Sequence, residues 1–345
     1  MADHSPILVQ DIYAPLGSAF TPSMLTARYA PGAGWYGKTI GPRRQIQLDP
    51  ATVGLHYGQA AFEGLKAYRQ PDGGVALFRP LDYAKRLAAS CERMAIPPVD
   101  PELMVSWWRE FAGREKEHMR PGPDSAMYLR PLIIATDCVL GARPSREYLL
   151  MLLAVHSTPL ADSAKHHLDV LVTTEFVRSS PGGLGSAKTP GNYGAAMRAL
   201  QAAREAGCDQ VLWLDAGRRR WIEELGSMNV AFVIDNTLVT PQTGDTILAG
   251  VTRDSILTLA AEHGIGCEER PVALEEVTAA MAWKGLTEAF ACSTGAGLTR
   301  IGSLLIGQQR LTLPPETPIV DRLRHLLAEL AHGRADDPWG WRLPV

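Results

Sequence analysis

The segment Gln70-Pro-Asp-Gly-Gly74 limits the fold more than any other stretch of this chain. Asp-Gly supplies the positive φ that a tight hairpin turn requires. Apolar residues flank it, so residues 65–69 and 75–78 are expected to pair antiparallel. Other short apolar stretches read as strands at 24–29, 44–48, 53–57, 128–136, 148–155 and 168–174. In the second half, 210–214, 219–225, 229–234 and 237–240 follow one another through turns too short for crossover helices. Helices are expected at 80–94, with Pro80 in the first turn and Pro97-Pro98 beyond the end, and at 101–118. Others are expected at 193–206 before Gly207, at 253–263 behind a Thr252 cap, at 274–284 and at 320–331. Helices and hairpins mixed in this way predict an α+β (mixed α/β) fold, not a doubly wound parallel sheet. A chain of 345 residues has room for two domains. The reading is a smaller N-terminal unit over 1–155, a polar connection over 156–167 and a larger C-terminal unit over 168–345. The Pro-rich first 20 or so residues are expected to be loose.

Several function classes lose support at this stage. A net charge of −3 leaves no basic field to favour nucleic acid. The start, Met-Ala-Asp-His-Ser-Pro, has no basic stretch followed by an apolar one. No apolar run is long enough to span a bilayer, so no membrane partner is expected. Cysteines 91, 138, 208, 267 and 292 are odd in number and scattered, without a Cys-x-x-Cys. They read as reduced thiols of a cytoplasmic protein. His166-His167 is the one adjacent histidine pair, and neighbouring side chains point apart, so no metal site is expected.

Chemistry concentrates around Lys188. Lysine is scarce, seven against 27 arginines, and this one sits in Ser-Ser-Pro-Gly-Gly-Leu-Gly-Ser-Ala-Lys188-Thr-Pro-Gly-Asn-Tyr193-Gly. A lysine aimed by irregular backbone and withdrawn from water is expected to have a lowered pKa, which suits a Schiff-base amine. In isolation it would read as a surface lysine. Three other blocks accompany it: Leu55-His-Tyr57-Gly-Gln-Ala-Ala-Phe62-Glu-Gly-Leu-Lys-Ala-Tyr68, Leu77-Phe-Arg-Pro-Leu-Asp-Tyr-Ala-Lys-Arg86-Leu and Trp221-Ile-Glu-Glu224-Leu-Gly-Ser-Met-Asn229.

In order and approximate spacing these blocks resemble the branched-chain amino-acid aminotransferases, fold-type-IV enzymes that use pyridoxal 5′-phosphate (PLP). The resemblance runs from about residue 25 to residue 341. It implies a smaller N-terminal α/β domain, a larger pseudo-barrel domain carrying the PLP lysine, and ping-pong transamination of an L-amino acid with 2-oxoglutarate. It places Lys188 as the catalytic amine, Glu224 rather than Glu223 at the pyridine nitrogen, and Tyr193 at the ring oxygen. For the phosphate it implies Arg86, Thr294 and the helix start at Val251 and Thr252, where orphan amides favour an anion. For substrate it implies Tyr57, Phe62, Tyr128, Arg130 and the amides of Gly295 and Ala296. The tyrosine matching Tyr57 serves the neighbouring subunit's site, which implies a homodimer. The plainer readings are strand residues for the glutamates, core packing for Phe62 and Tyr193, an N-cap for Thr252 and a solvated face for Arg86.

A competing motif needs weighing. Gly32-Ala-Gly-Trp-Tyr-Gly37-Lys38-Thr39 fits a P-loop, and Val211-Leu-Trp-Leu-Asp215 fits its acidic strand. A P-loop needs a helix starting at Lys38-Thr39, which Gly41-Pro42 would break. No lysine has a serine three residues before it, and no Gly-x-Ser-x-Gly occurs. Arg218-Arg-Arg220 reads as a hairpin tip, with a basic interaction patch as the other possibility. The departures from the family pattern surround the substrate. Ser293-Thr-Gly295-Ala-Gly297 replaces Gly-Thr-Ala-Ala, and its glycines are expected to loosen the turn. Arg300 stands where proline is common, and Pro190 replaces a glycine. Val155-His-Ser-Thr-Pro-Leu-Ala-Asp162 lacks the usual Gly-Ala-Tyr-Phe. These leave open a pathway-specific aminotransferase for an unusual amino or oxo acid, and less readily a PLP lyase such as an aminodeoxychorismate lyase.

Overall fold

The computed structural model describes residues 19–157 and 167–345. The expected loose N-terminus and most of the 156–167 connection lie outside the described residues. Two sheets organise the chain. The first contains β1 (Ser23–Ala30), β2 (Gly34–Pro42), β3 (Ala60–Phe62), β4 (Leu65–Arg69), β5 (Val75–Phe78), β6 (Ala126–Ala135) and β7 (Tyr148–Ser157). Its strands run antiparallel in the order β5-β4-β6-β7-β1-β2, with β3 also on β6 and the C-terminal strand Arg342–Pro344 on β5. The 70–74 turn closes β4 onto β5 as expected, pairing Arg69 with Val75. Its fully buried core runs from Leu25 and Leu65 to Trp108 and Phe111.

The second sheet is mixed. It holds β8 (Leu168–Val172), β9 (Gln210–Leu214), β10 (Trp221–Leu225), β11 (Asn229–Ile234), β12 (Thr237–Pro241), β13 (Gly266–Arg270), β14 (Val272–Ala273), β15 (Leu286–Ser293), β16 (Gly297–Ile306) and β17 (Gln309–Thr312). Their order is β13-β12-β11-β15-β16-β8-β9-β10-β14, with β17 on β16. Apolar residues such as Val170, Leu212, Ile222, Val230, Phe232 and Ala291 fill one shared core. The last strand, β18 (Arg342–Pro344), belongs to the first sheet, where it pairs with β5.

The helices are α1 (Val53–Tyr57), α2 (Pro80–Arg93), α3 (Pro101–Glu115), α4 (Pro190–Glu205), α5 (Val251–Glu262), α6 (Leu274–Ala282) and α7 (Pro318–Ala331). Asp100 caps α3 by accepting from the amides of Glu102 and Leu103. In α2, Tyr83, Ala84, Leu87 and Cys91 are buried at helical spacing. That burial turns the neighbouring flank, with Arg86 and Ser90 four residues apart, toward the second half.

Several expectations need correction. Residues 53–57 form a helical turn, not a strand, closed by Gly58 at φ 64. A single turn is too short to show helical periodicity. No strand forms at 44–48; instead β2 pairs with β1 through a turn holding Gly32 at φ 80. Lys38 and Thr39 are therefore strand residues, and the P-loop reading fails. Asp215 spends its carboxylate on the amides of Gly217, Arg218, Arg220 and Trp221, so it is a turn residue. Arg219 donates to the Thr174 and Asp215 carbonyls and Arg220 pairs with Glu275, so this tip is tied to its own fold. Helix α5 starts at Val251 behind Gly250, which places Thr252 inside the first turn and not at the cap.

Candidate active site

A cavity of about 310 Å³ opens where the two sheets meet. Lys188 reaches it from the loop before α4. Its amide donates to Ser90 Oγ of α2 (2.9 Å), and its carbonyl accepts from the Phe62 amide (3.0 Å). Thr189 Oγ1 donates to the Ala60 carbonyl, and the Asn192 amide group closes the loop on the carbonyls of Leu184 and Ala187. Gly185 is required here, since a Cβ would lie 2.4 Å from the Thr246 carbonyl. The loop is thereby stitched to β3, and the amine has a fixed origin.

Lys188 Nζ donates to Tyr193 Oη at 2.9 Å, one turn into α4. The Phe62 ring packs edge-on against Tyr193, 5.0 Å between centroids. The expected lowering of the Lys188 pKa is not what the site produces. Withdrawal from solvent pulls it down, but Tyr193 and Glu63 outweigh that, against Arg86, and the net direction is upward.

Glu224 stands across the cavity on β10, 2% exposed. Its Oε1 accepts from the Leu248 amide (2.8 Å) and Oε2 pairs with Arg178 Nε (2.8 Å). Burial nevertheless pushes its carboxyl up to about 7, with Arg178 and the Leu248 amide opposing. Glu223, next in the strand, is also buried but does not line the cavity, as strand alternation requires. Neither glutamate is an exposed strand residue.

Arg86 enters from α2 clamped by Glu63, Nε–Oε2 2.8 Å and Nη2–Oε1 2.6 Å, and it donates to the Ala249 carbonyl. Burial alone would lower the guanidinium; Glu63 outweighs this and raises it. Behind Ala249, the cap of α5 is a glycine, Gly250, since a Cβ there would lie 1.9 Å from Asn229 Oδ1. Val251 and Thr252 follow at the cavity wall, where the first turn of a helix carries amides without intrahelical acceptors. Thr294 Oγ1 meets Tyr83 Oη at 2.7 Å. Glu63→Gln is expected to cost roughly 3 kcal/mol of stability, because it leaves Arg86 without its carboxylate. Urea unfolding checks this; an unchanged midpoint would count against the clamp.

The structure thus brings Phe62, Arg86, Tyr128, Arg130, Lys188, Tyr193, Glu224, Val251, Thr252, Thr294 and Gly295 around one cavity. Of the expected residues, Ala296 falls outside this cavity, and Tyr57, expected to serve the neighbouring subunit's site, falls outside the cavity of its own chain. Tyr57 lies on the surface, its hydroxyl on the Leu140 carbonyl. Ala296 does not line the cavity; its N–H donates to Ser293 Oγ (3.1 Å). Sequence reasoning missed Glu63, Ser90, Arg178 and Lys66. Glu63 sits inside a quoted block, and Arg178 stands ten residues before the lysine. Their roles depend on partners far away in the chain.

Residues 60–304 match the family model for amino-transferase class IV. The chain is 40% identical over 328 residues to a probable branched-chain-amino-acid aminotransferase of Streptomyces coelicolor, covering 94% of this chain and 91% of the relative. It is 40% identical over 333 residues to branched-chain-amino-acid transaminase 1 of Bacillus subtilis, covering 95% and 93%. The chain belongs to the branched-chain aminotransferase family of class IV. Among solved structures, the branched-chain aminotransferase of Thermoproteus uzoniensis with norvaline shares the fold at TM-score 0.77 and 22% identity, covering 93% of this chain and 99% of that one. The Escherichia coli enzyme does so at 0.75 and 22%, covering 94% and 98%. The fold-type-IV expectation holds, and this aminotransferase uses PLP. The cavity suits that cofactor: its buried carboxyl at Glu224 is only partly compensated, so a cationic ring nitrogen would complete it. A guanidinium and a helix N-terminus stand ready for a phosphate. No helix among the described residues is long and apolar enough to cross a membrane.

Proposed function

We propose that this aminotransferase moves the amino group of branched-chain L-amino acids to 2-oxoglutarate by a ping-pong cycle. PLP, when bound, supplies an electrophilic aldehyde and an electron-accepting ring. Lys188 Nζ would hold that aldehyde, then carry the proton between substrate Cα and the cofactor carbon. Tyr193 would hold the ring oxygen and orient the amine, and Glu224 would keep a proton on the ring nitrogen. Arg86, Thr294 and the first turn of α5 would hold the phosphate.

The observation that carries the substrate pair is the wall opposite. Phe62 and Tyr128 offer apolar surface for a branched side chain. Arg130 stacks on Phe62, 5.0 Å to the centroid, and donates to Tyr128 Oη (2.9 Å). Its Nε is buried without an acceptor among the described residues. A second carboxylate, as on 2-oxoglutarate or glutamate, would answer that cation, so one wall serves both substrates in turn. Homodimerisation forms part of the proposal. Leu55, Tyr57 and Leu140 are exposed, and the Tyr57–Leu140 hydrogen bond brings two of these three apolar side chains together on a surface suited to a second copy. The reduced-thiol reading keeps the setting cytoplasmic.

The test is a steady-state assay of L-leucine, L-isoleucine and L-valine with 2-oxoglutarate, scoring glutamate. All three are expected to react. Reaction of none, with the cofactor loaded, would redirect the assignment to a narrower aminotransferase, which the altered Ser293 turn favours. Arg130→Met is expected to weaken glutamate and 2-oxoglutarate by roughly 10–100-fold, the worth of a charged hydrogen bond, and leucine far less. Equal losses for both would remove Arg130 from dicarboxylate recognition.

A further inference from the structure

The turn between β15 and β16 departs most from the family pattern, and its geometry shows what the departure does. The peptide joining Gly295 to Ala296 is held at both ends. Lys66 Nζ donates to the Gly295 carbonyl at 3.2 Å, and the Ala296 N–H donates to Ser293 Oγ at 3.1 Å. A trans peptide directs its C=O and N–H oppositely, so two side chains fix its orientation. Two side chains thus hold this peptide against the loosening expected from glycine. Its N–H ends on Ser293 and not in the cavity, whereas Ser293, Thr294 and Gly295 line the cavity.

A serine hydroxyl can accept and donate at once. Ser293 Oγ already accepts from the Ala296 amide, and an oxygen that accepts becomes a better donor. We propose that Ser293 is a specificity-determining residue, its hydroxyl donating to the α-carboxylate of amino- and 2-oxo-acid substrates in place of the Ala296 amide. This rests on the aminotransferase reading of the cavity. Recognition then passes through one rotatable side chain backed by a fixed peptide, and it can be altered without touching the cofactor residues.

The experiment compares wild-type holoenzyme with Ser293→Ala and Ser293→Thr. Ser293→Ala is expected to raise KM for both amino acid and 2-oxo acid by roughly tenfold or more, with a much smaller change in kcat. Ser293→Thr keeps the hydroxyl and is expected to restore KM. Isoamylamine, which is leucine without its carboxylate, is expected to react equally with wild type and Ser293→Ala in a single turnover. An unchanged or lowered KM in Ser293→Ala would overturn the proposal, since the freed Ala296 amide would then hold the carboxylate directly. Equal losses for isoamylamine and leucine would overturn it too, as a structural effect. A wild-type protein with no transaminase activity at all would instead strike the functional reading on which this rests.

Discussion

Lys188→Ala is expected to abolish turnover. Proton transfer by a positioned side chain is worth roughly 10²–10⁴-fold by itself. The same substitution also removes the amine that the cavity aims at a carbonyl, so the two losses compound. The surroundings are built for that one group: Ser90 and Phe62 fix its backbone, and Tyr193 fixes its Nζ. The measurement is kcat together with the visible cofactor spectrum. Full activity with an unchanged spectrum would reject Lys188 as the catalytic amine.

Glu224→Gln carries the second largest expected effect. An amide cannot hold a proton on a neighbouring nitrogen as a carboxylate does, and loss of such a preorganised electrostatic partner costs roughly 10²–10³ in kcat. Glu223→Gln, on the other face of β10, is expected to leave kcat nearly intact. The same residue produces a pH signature. A carboxyl whose folded pKa is raised from 4.5 to about 7 binds its proton more tightly folded than unfolded. Its contribution to stability is therefore full below 4.5 and lost as pH rises to about 7. The melting temperature of the cofactor-free wild type should fall relative to Glu224→Gln across that window. Parallel curves would show that Glu224 ionises as an ordinary exposed acid.

What the chain disclosed in advance was local. The 70–74 turn required a hairpin, and Pro80 and Gly207 marked helix ends, whereas the place of Tyr193 beside the lysine came from the family resemblance and not from spacing. What it concealed was non-local. Val53–Tyr57 read as a strand because one helical turn has no period, and Gly58 stops it. Glycine at 295 and 297 suggested a slack turn, because nothing in the sequence says that Lys66, 229 residues away, reaches the Gly295 carbonyl. The sign of the Lys188 shift was misread for the same reason: Glu63 and Tyr193 become its neighbours only in the folded chain. The spacing of Arg178 from Lys188 is visible in the sequence, but its pairing with Glu224 is not.

Lys188, and no other amine, is expected to anchor the cofactor. Lys66 is the rival, because desolvation pushes it down to about 8 while Lys188 is raised. Basicity alone would favour Lys66. Placement decides otherwise, since Lys188 lines the cavity with Tyr193 and Glu224, whereas Lys66 holds the Gly295 carbonyl behind the substrate turn. Reducing the holoenzyme with borohydride, digesting it and locating the pyridoxyl mark by peptide mass spectrometry separates the two. A mark confined to the peptide carrying Lys188 is the expected result; a mark on Lys66, or on neither, would remove Lys188 as the anchoring amine.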